Sequence, residues 1–143
     1  MLAYADTSAL FALFHPGDAF ARAVNAHQLS AGADFHYPAL LRFELRHTLG
    51  LARTHPDGET AWRALLAGER GRLRGVRQDL LAVLQLAGTL SARHSRACPA
   101  AGAVDVLHAA AALDLRAAEF WTCDGGQAAF ARAVGLKVVQ FAG

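Results

Sequence analysis

The sequence predicts an α/β fold: a single domain over 1–143 built as three layers, with about five parallel strands and helices on both faces. Three observations carry this. Short apolar segments alternate along the chain with segments of helical apolar periodicity, the pattern of a parallel sheet with helical crossovers. Two of the short segments, 1–5 and 119–122, run into a carboxylate and then a helix start, at Asp6 and Asp124. Glycine and proline clusters, among them His15-Pro16-Gly17-Asp18 and His55-Pro56-Asp57-Gly58, separate the segments.

In order, Leu2-Ala3-Tyr4-Ala5 reads as a buried strand, and Asp6-Thr7-Ser8 as a sharp turn into a helix beginning at Ala9. Asp18 can cap a second helix with Phe20, Ala23, Val24 and His27 on one face, interrupted at 30–32. Ala33 to Tyr37 forms a short strand closed by Pro38, and a helix follows over 38–54. There Leu41, Leu45, Leu49 and Ala52 make the apolar stripe, while Arg42, Arg46 and Arg53 lie on a polar side. Glu44 faces the edge of the buried side and needs a partner, an arginine being the structural expectation.

A helix over 59–69 carries Trp62, Leu65 and Leu66. The alternation Gly71-Arg72-Leu73-Arg74-Gly75-Val76-Arg77 then predicts a half-exposed edge strand. Near Asp79 a leucine-rich helix starts and runs to about His94. The loop 95–102 leads into an alanine-rich helix over 103–118, with Asp105 in its first turn and His108 on the same face. Residues 119–122 read as a strand, Asp124 and Gln127 have capping-box spacing, Gly135 ends the helix, and 136–141 make the last strand.

A chain of 143 residues can bury a sizeable core. Its 54% hydrophobic content excludes a disordered tail or linker. Net charge is only +2, but Lys137 is the single lysine among fourteen basic residues, the rest being arginine. Arginine's planar fork suits phosphate or carboxylate, so nucleic acid or an acidic protein is an admissible partner. Cys98 and Cys123 lack disulfide-scaffold or metal spacing and suit a reducing compartment. With neither a signal-peptide pattern nor a long apolar run, the expected location is cytoplasmic and no membrane partner is expected.

Each acid has a plain structural reading: Asp6 and Asp124 as helix caps, Asp105 as a helix-dipole partner, Glu44 as a boundary ion pair. Their joint placement says more. Asp6 and Asp124 follow strands, at the end of the sheet where α/β ligands bind. Asp105 opens a helix leading into the second of those strands, and Glu44 faces inward. Four carboxylates gathered there raise one another's pKa unless a cation compensates them, and a hard divalent ion, Mg²⁺ or Mn²⁺, accepts such oxygens. The chemistry of such a site is hydrolysis of phosphodiesters.

Four blocks then resemble a known family. Tyr4-Ala5-Asp6-Thr7-Ser8-Ala9-Leu10, Phe43-Glu44-Leu45, Val104-Asp105-Val106-Leu107-His108-Ala109-Ala110-Ala111 and Thr122-Cys123-Asp124-Gly125-Gly126-Gln127-Ala128-Ala129-Phe130 look like the blocks of PIN-domain ribonucleases, in family order. They look most like the VapC-type toxins of toxin–antitoxin pairs. The resemblance implies a PIN-like fold, Mg²⁺- or Mn²⁺-dependent cleavage of RNA, a cognate antitoxin and a homodimer. It puts Asp6, Glu44, Asp105 and Asp124 at the catalytic acidic positions, with Asp6, Asp105 and Asp124 holding metal. Ser8 and Thr122 match the supporting hydroxyls. The stretch 59–96 matches no block.

Rival readings are an RNA-processing nuclease of the same fold without an antitoxin, and a non-catalytic module binding RNA or protein. A haloacid-dehalogenase-type phosphatase needs a second Asp where Ser8 stands. A P-loop enzyme needs Gly-Lys-Ser/Thr, and Lys137 sits in the last strand. The seven histidines have no zinc spacing, and His108 reads as a packed or supporting group.

Overall fold

The structure is a computed structural model and describes residues 1–142. Five strands, β1 (Leu2–Ala5), β2 (Asp34–Tyr37), β3 (Leu73–Gly75), β4 (Phe120–Thr122) and β5 (Val138–Gln140), form one sheet in the order β3-β2-β1-β4-β5. Every pairing is parallel, with Leu2 opposite Asp34 and Tyr4 opposite Phe120. The helices are α1 (Thr7–Phe14), α2 (Ala21–Ala31), α3 (Ala39–Ala52), α4 (Gly58–Gly68), α5 (Leu80–His94), α6 (Ala103–Asp114) and α7 (Gly125–Ala133). Helix α1 packs with α2, α3 and α4, while α6 packs with α5 and α7. Right-handed crossovers put these two groups on opposite faces of the sheet.

The central strand is buried through Ala3, Tyr4 and Ala5, so both layers press on it. Trp121, Phe35 and Phe120 fill the space between sheet and helices. The alanines of α6, Ala109 to Ala112, are all buried, and their short side chains let this helix lie close to its neighbours. From β1 the chain steps outward to β2 and β3, then recrosses the sheet to β4 on the other side of β1. The β1/β4 boundary is therefore the topological switch point, where a crevice opens beyond the carboxyl ends of the strands. The backbone N–H of Asp6 closes its base with a 3.0 Å bond to the Trp121 carbonyl.

Most predicted elements stand within two or three residues of their expected bounds. The predicted edge strand is shorter than the 71–77 alternation, at Leu73–Gly75, and does lie at the sheet edge. The buried face of α2 is Ala21, Val24 and Gln28, while Ala23 points to solvent. Helix α6 ends at Asp114, short of the expected 118. Arg116 takes a left-handed φ of 51°, and the N–H groups of Arg116 and Ala117 bond back to the carbonyls of Leu113 and Ala112 at 3.0 and 3.1 Å. That is a Schellman stop, built here without the usual glycine.

Candidate active site

Asp6 leaves β1 in an extended conformation and caps α1, its Oδ1 accepting the Ala9 N–H at 2.9 Å. The cap reading is therefore correct as far as it goes. The same carboxylate also accepts the Ser8 hydroxyl on Oδ1 and the Thr122 hydroxyl on Oδ2, each at 2.6 Å. Both hydroxyls are fixed in turn: Ser8 Oγ accepts the Cys123 N–H at 3.0 Å, and Thr122 Oγ1 accepts the Asp124 N–H at 2.9 Å. The exits of β1 and β4 are thus laced together around one acid. Asp6 is only 5% exposed, and this burial pushes its pKa up. The bonds from Ser8, Thr122 and Ala9, with the nearby His108, oppose the rise without cancelling it.

Glu44 reaches the same cleft from α3. Its Oε2 accepts the Thr7 hydroxyl at 3.1 Å and lies 2.5 Å from Nε2 of His108. Nδ1 of His108 lies 2.7 Å from the Tyr4 hydroxyl. Tyr4 and His108 are both buried, so Tyr4, His108, Glu44 and Thr7 form a continuous polar chain beneath the cleft. Burial alone would raise the Glu44 carboxyl. His108, through its hydrogen bond and charge, and the Thr7 hydroxyl outweigh that and hold it below its ordinary value. The Tyr4 phenol is pushed well up by burial and by the charges of Asp6 and Glu44, so it stays protonated.

The expected arginine partner of Glu44 is thus replaced by a histidine. Arg46 instead makes a bidentate pair with Glu69, which Arg42 also approaches, and Arg53 pairs with Glu59. Local spacing alone did not bring these groups together. His108 shares a helix face with Asp105, and Tyr4 shares a strand face with Asp6.

Asp105 stands in the first turn of α6, where its Oδ2 accepts the Gly102 N–H at 2.8 Å. Asp124 caps α7, its Oδ1 accepting the Gln127 N–H at 2.7 Å. Gln127 does not return the capping box. Its side-chain amide donates 3.0 Å to the Asp105 carbonyl, tying the starts of α6 and α7 together.

Asp6, Glu44, Asp105 and Asp124 line one small cleft of about 170 Å³, shared with Ser8 and His108. Thr122 lies beneath it, fully buried. Among the described residues no group of three or more His, Cys, Asp or Glu side chains is arranged to hold a metal ion by itself. Magnesium commonly takes one or two carboxylates and completes its octahedron with water and substrate oxygens. Asp105, Asp124 and Glu44 line the cleft and each commits one oxygen to the protein, while the other makes no hydrogen bond to the described residues. This all-oxygen donor set fits a hard cation held partly through water.

No protein-family model matches the sequence, and no curated protein matches it. Solved structures do. VapC20 of Mycobacterium tuberculosis, described as a sarcin-ricin-loop-cleaving toxin, superposes with a TM-score of 0.68 at 17% identity, over 95% of this chain and 96% of that one. A chain of VapBC2 from Rickettsia felis, solved bound to a DNA fragment from their promoter, gives 0.68 at 16% identity, over 99% of this chain and 100% of its own. The chain therefore has the PIN-like α/β fold of VapC proteins across nearly its whole length.

Proposed function

We propose that this protein is a metal-dependent endoribonuclease, the toxin of a type II toxin–antitoxin pair. The observation that carries the reading is the convergence of Asp6, Glu44, Asp105 and Asp124 on one cleft at the switch point of a VapC-like fold. Asp6, Asp105 and Asp124 would hold Mg²⁺ or Mn²⁺, directly or through water, and the ion would polarise a phosphoryl oxygen and activate water. Ser8 and Thr122 keep Asp6 in one orientation; Oδ1 accepts two hydrogen bonds and Oδ2 only one, so Oδ2 retains a lone pair for the ion without reorganisation. Glu44 has one oxygen pinned by His108 and Thr7, and its other oxygen is available to orient a water toward phosphorus. Because the nucleophile is water and not the RNA 2′-hydroxyl, the products are a 3′-hydroxyl and a 5′-phosphate.

The partners that follow are an RNA substrate, a cognate antitoxin and a second copy of the chain. Exposed Leu80, Leu81 and Leu84 on α5, with Val104 on α6, offer an apolar face for such an assembly. Among the described residues no helix is long and apolar enough to cross a membrane. The test is end-mapping of RNA after incubation with the purified protein. Mg²⁺-dependent cleavage leaving 5′-phosphates, lost in Asp6→Asn, is expected, whereas cleavage in EDTA or 2′,3′-cyclic ends would overturn the mechanism. Induction with and without the neighbouring reading frame separates a toxin, whose growth arrest the neighbour relieves, from an RNA-processing nuclease.

A further inference from the structure

Beside the acid cleft lies a second hollow of about 330 Å³, large enough for a small planar ligand. The two adjoin, with Thr7, Ser8 and Asp124 lining both. The character of the wall changes across that boundary. Phe11 and Phe20 supply an aromatic surface, and Phe11 is braced from outside by the His15 ring, stacked at 4.9 Å and 13°. The thiol of Cys123 also lines it, pushed up to about 12 by burial and by the charges of Asp6 and Asp18, and so stays neutral. Besides Asp124, which it shares with the acid cleft, this wall carries one further carboxylate, Asp18. Asp18 uses Oδ1 to accept the Phe20 N–H at 2.8 Å, and its Oδ2 makes no hydrogen bond to the described residues.

An anionic wall repels phosphate, so the hollow is not a backbone site. Aromatic surface with a hydrogen-bonding edge is how unstacked RNA bases are held. A carboxylate only accepts hydrogen bonds. Among the bases, guanine alone presents two adjacent N–H donors on its Watson–Crick edge, N1–H and the N2 amino group. Adenine and cytosine set a ring-nitrogen acceptor beside their amino group, and uracil flanks its one N–H with two carbonyls.

We propose that this hollow is a base-binding subsite that selects a guanine next to the scissile phosphate, with Phe11 and Phe20 supporting the ring and Asp18 reading its Watson–Crick edge. The proposal rests on the nuclease reading for its substrate class. It assigns the Asp18 carboxylate a role beyond the turn that leads into α2.

The test uses the Asp6→Asn protein, which should bind RNA without cutting it, and uridine-rich oligonucleotides carrying one central guanosine, inosine, adenosine or cytidine. Inosine lacks only the N2 amino group. Fluorescence anisotropy should show guanosine bound about tenfold more tightly than inosine, within the range of a lost bidentate partner. Adding Asp18→Asn should bring that ratio close to one, with little change in melting temperature because asparagine makes the same two-residue turn bond to the Phe20 N–H as aspartate. Phe20→Ala should weaken all four oligonucleotides. Equal binding of guanosine and inosine, or a ratio that survives Asp18→Asn, overturns the subsite and leaves the hollow to a protein side chain. The wild-type protein is run on the same oligonucleotides with Mg²⁺. Cleavage without base preference sinks the subsite alone, whereas no cleavage and no binding sinks it together with the nuclease reading.

Discussion

Asp6 serves two purposes at once, and the conflict between them can be measured. As a cap it stabilises α1; as a buried anion facing other acids it costs stability. Its folded pKa lies above its unfolded value, so the cost is absent below the unfolded pKa near 3.8 and fully present above the folded one. At pH 7, Asp6→Asn should therefore melt at or above the wild-type temperature while losing activity, and the gap should shrink as pH falls toward 4. Asp6→Ala, which cannot cap, should fall about 1 kcal/mol below Asp6→Asn in denaturant unfolding. Glu44 has the opposite sign. Its folded pKa is lowered, so it adds stability above its ordinary 4.5 that is lost as pH drops through the folded value. Removing His108 takes away the larger of the lowering influences and leaves burial unopposed except by Thr7. In His108→Ala the Glu44 carboxyl should titrate above its ordinary value, read by carboxyl ¹³C NMR, and the acidic limb of the activity profile should move up with it. A Glu44 titration unchanged in that variant would remove His108 as the group that positions it.

At the scale of elements, the junctions are set by glycines that differ sharply in what surrounds them. A Cβ on Gly58 would sit 1.8 Å from the Ala52 carbonyl oxygen, because α4 begins directly against the end of α3. Gly58→Ala should cost about 3 kcal/mol or more, since the obstacle is backbone and cannot rotate away. Gly88 lies inside α5 with nothing within 4 Å of its would-be Cβ. Gly88→Ala should stabilise by roughly 0.5–1 kcal/mol through helix propensity and lost unfolded-state freedom. Chemical denaturation of the pair checks both, and similar effects from the two would contradict the junction geometry. The same contrast explains what the sequence could and could not reveal. The end of α2 was legible because Gly32 takes the left-handed position, φ 57°. The end of α6 was not, because Arg116 adopts that conformation against its own preference and alanine continues the helical pattern beyond the stop. The four acids were legible because each follows a strand or opens or lines a helix at a position fixed by periodicity. The Tyr4–His108–Glu44 chain was missed because it joins residues 104 apart in sequence, and no local spacing advertises a contact between β1 and α6.

For the whole molecule, strand order decides which charges can help bind a substrate. The run Arg70-Gly71-Arg72-Leu73-Arg74-Gly75-Val76-Arg77 reads in sequence as one basic stripe. In the fold it straddles the sheet. Arg72 precedes β3 and lies at the amino edge, away from the acids, and Arg74 is committed to Asp34 with bonds of 3.0 and 2.7 Å. Only Arg77 follows the strand, at the carboxyl edge that the cleft shares. β3 itself lies about 10 Å from β1, two strand spacings away, and Arg77 borders the same hollow as Arg42. A strand of RNA with its scissile phosphate over the acids can meet Arg77 but not Arg72. Charge reversal should separate them. With Asp6→Asn as the background, Arg77→Glu should weaken RNA binding and flatten the dependence of log Kd on log salt by about 0.7, the contribution of one single-stranded phosphate. Arg72→Glu should leave that slope unchanged. Equal effects from the two would mean that RNA runs along the β3 edge from one end of the sheet to the other, and that the carboxyl edge does not by itself define the substrate path.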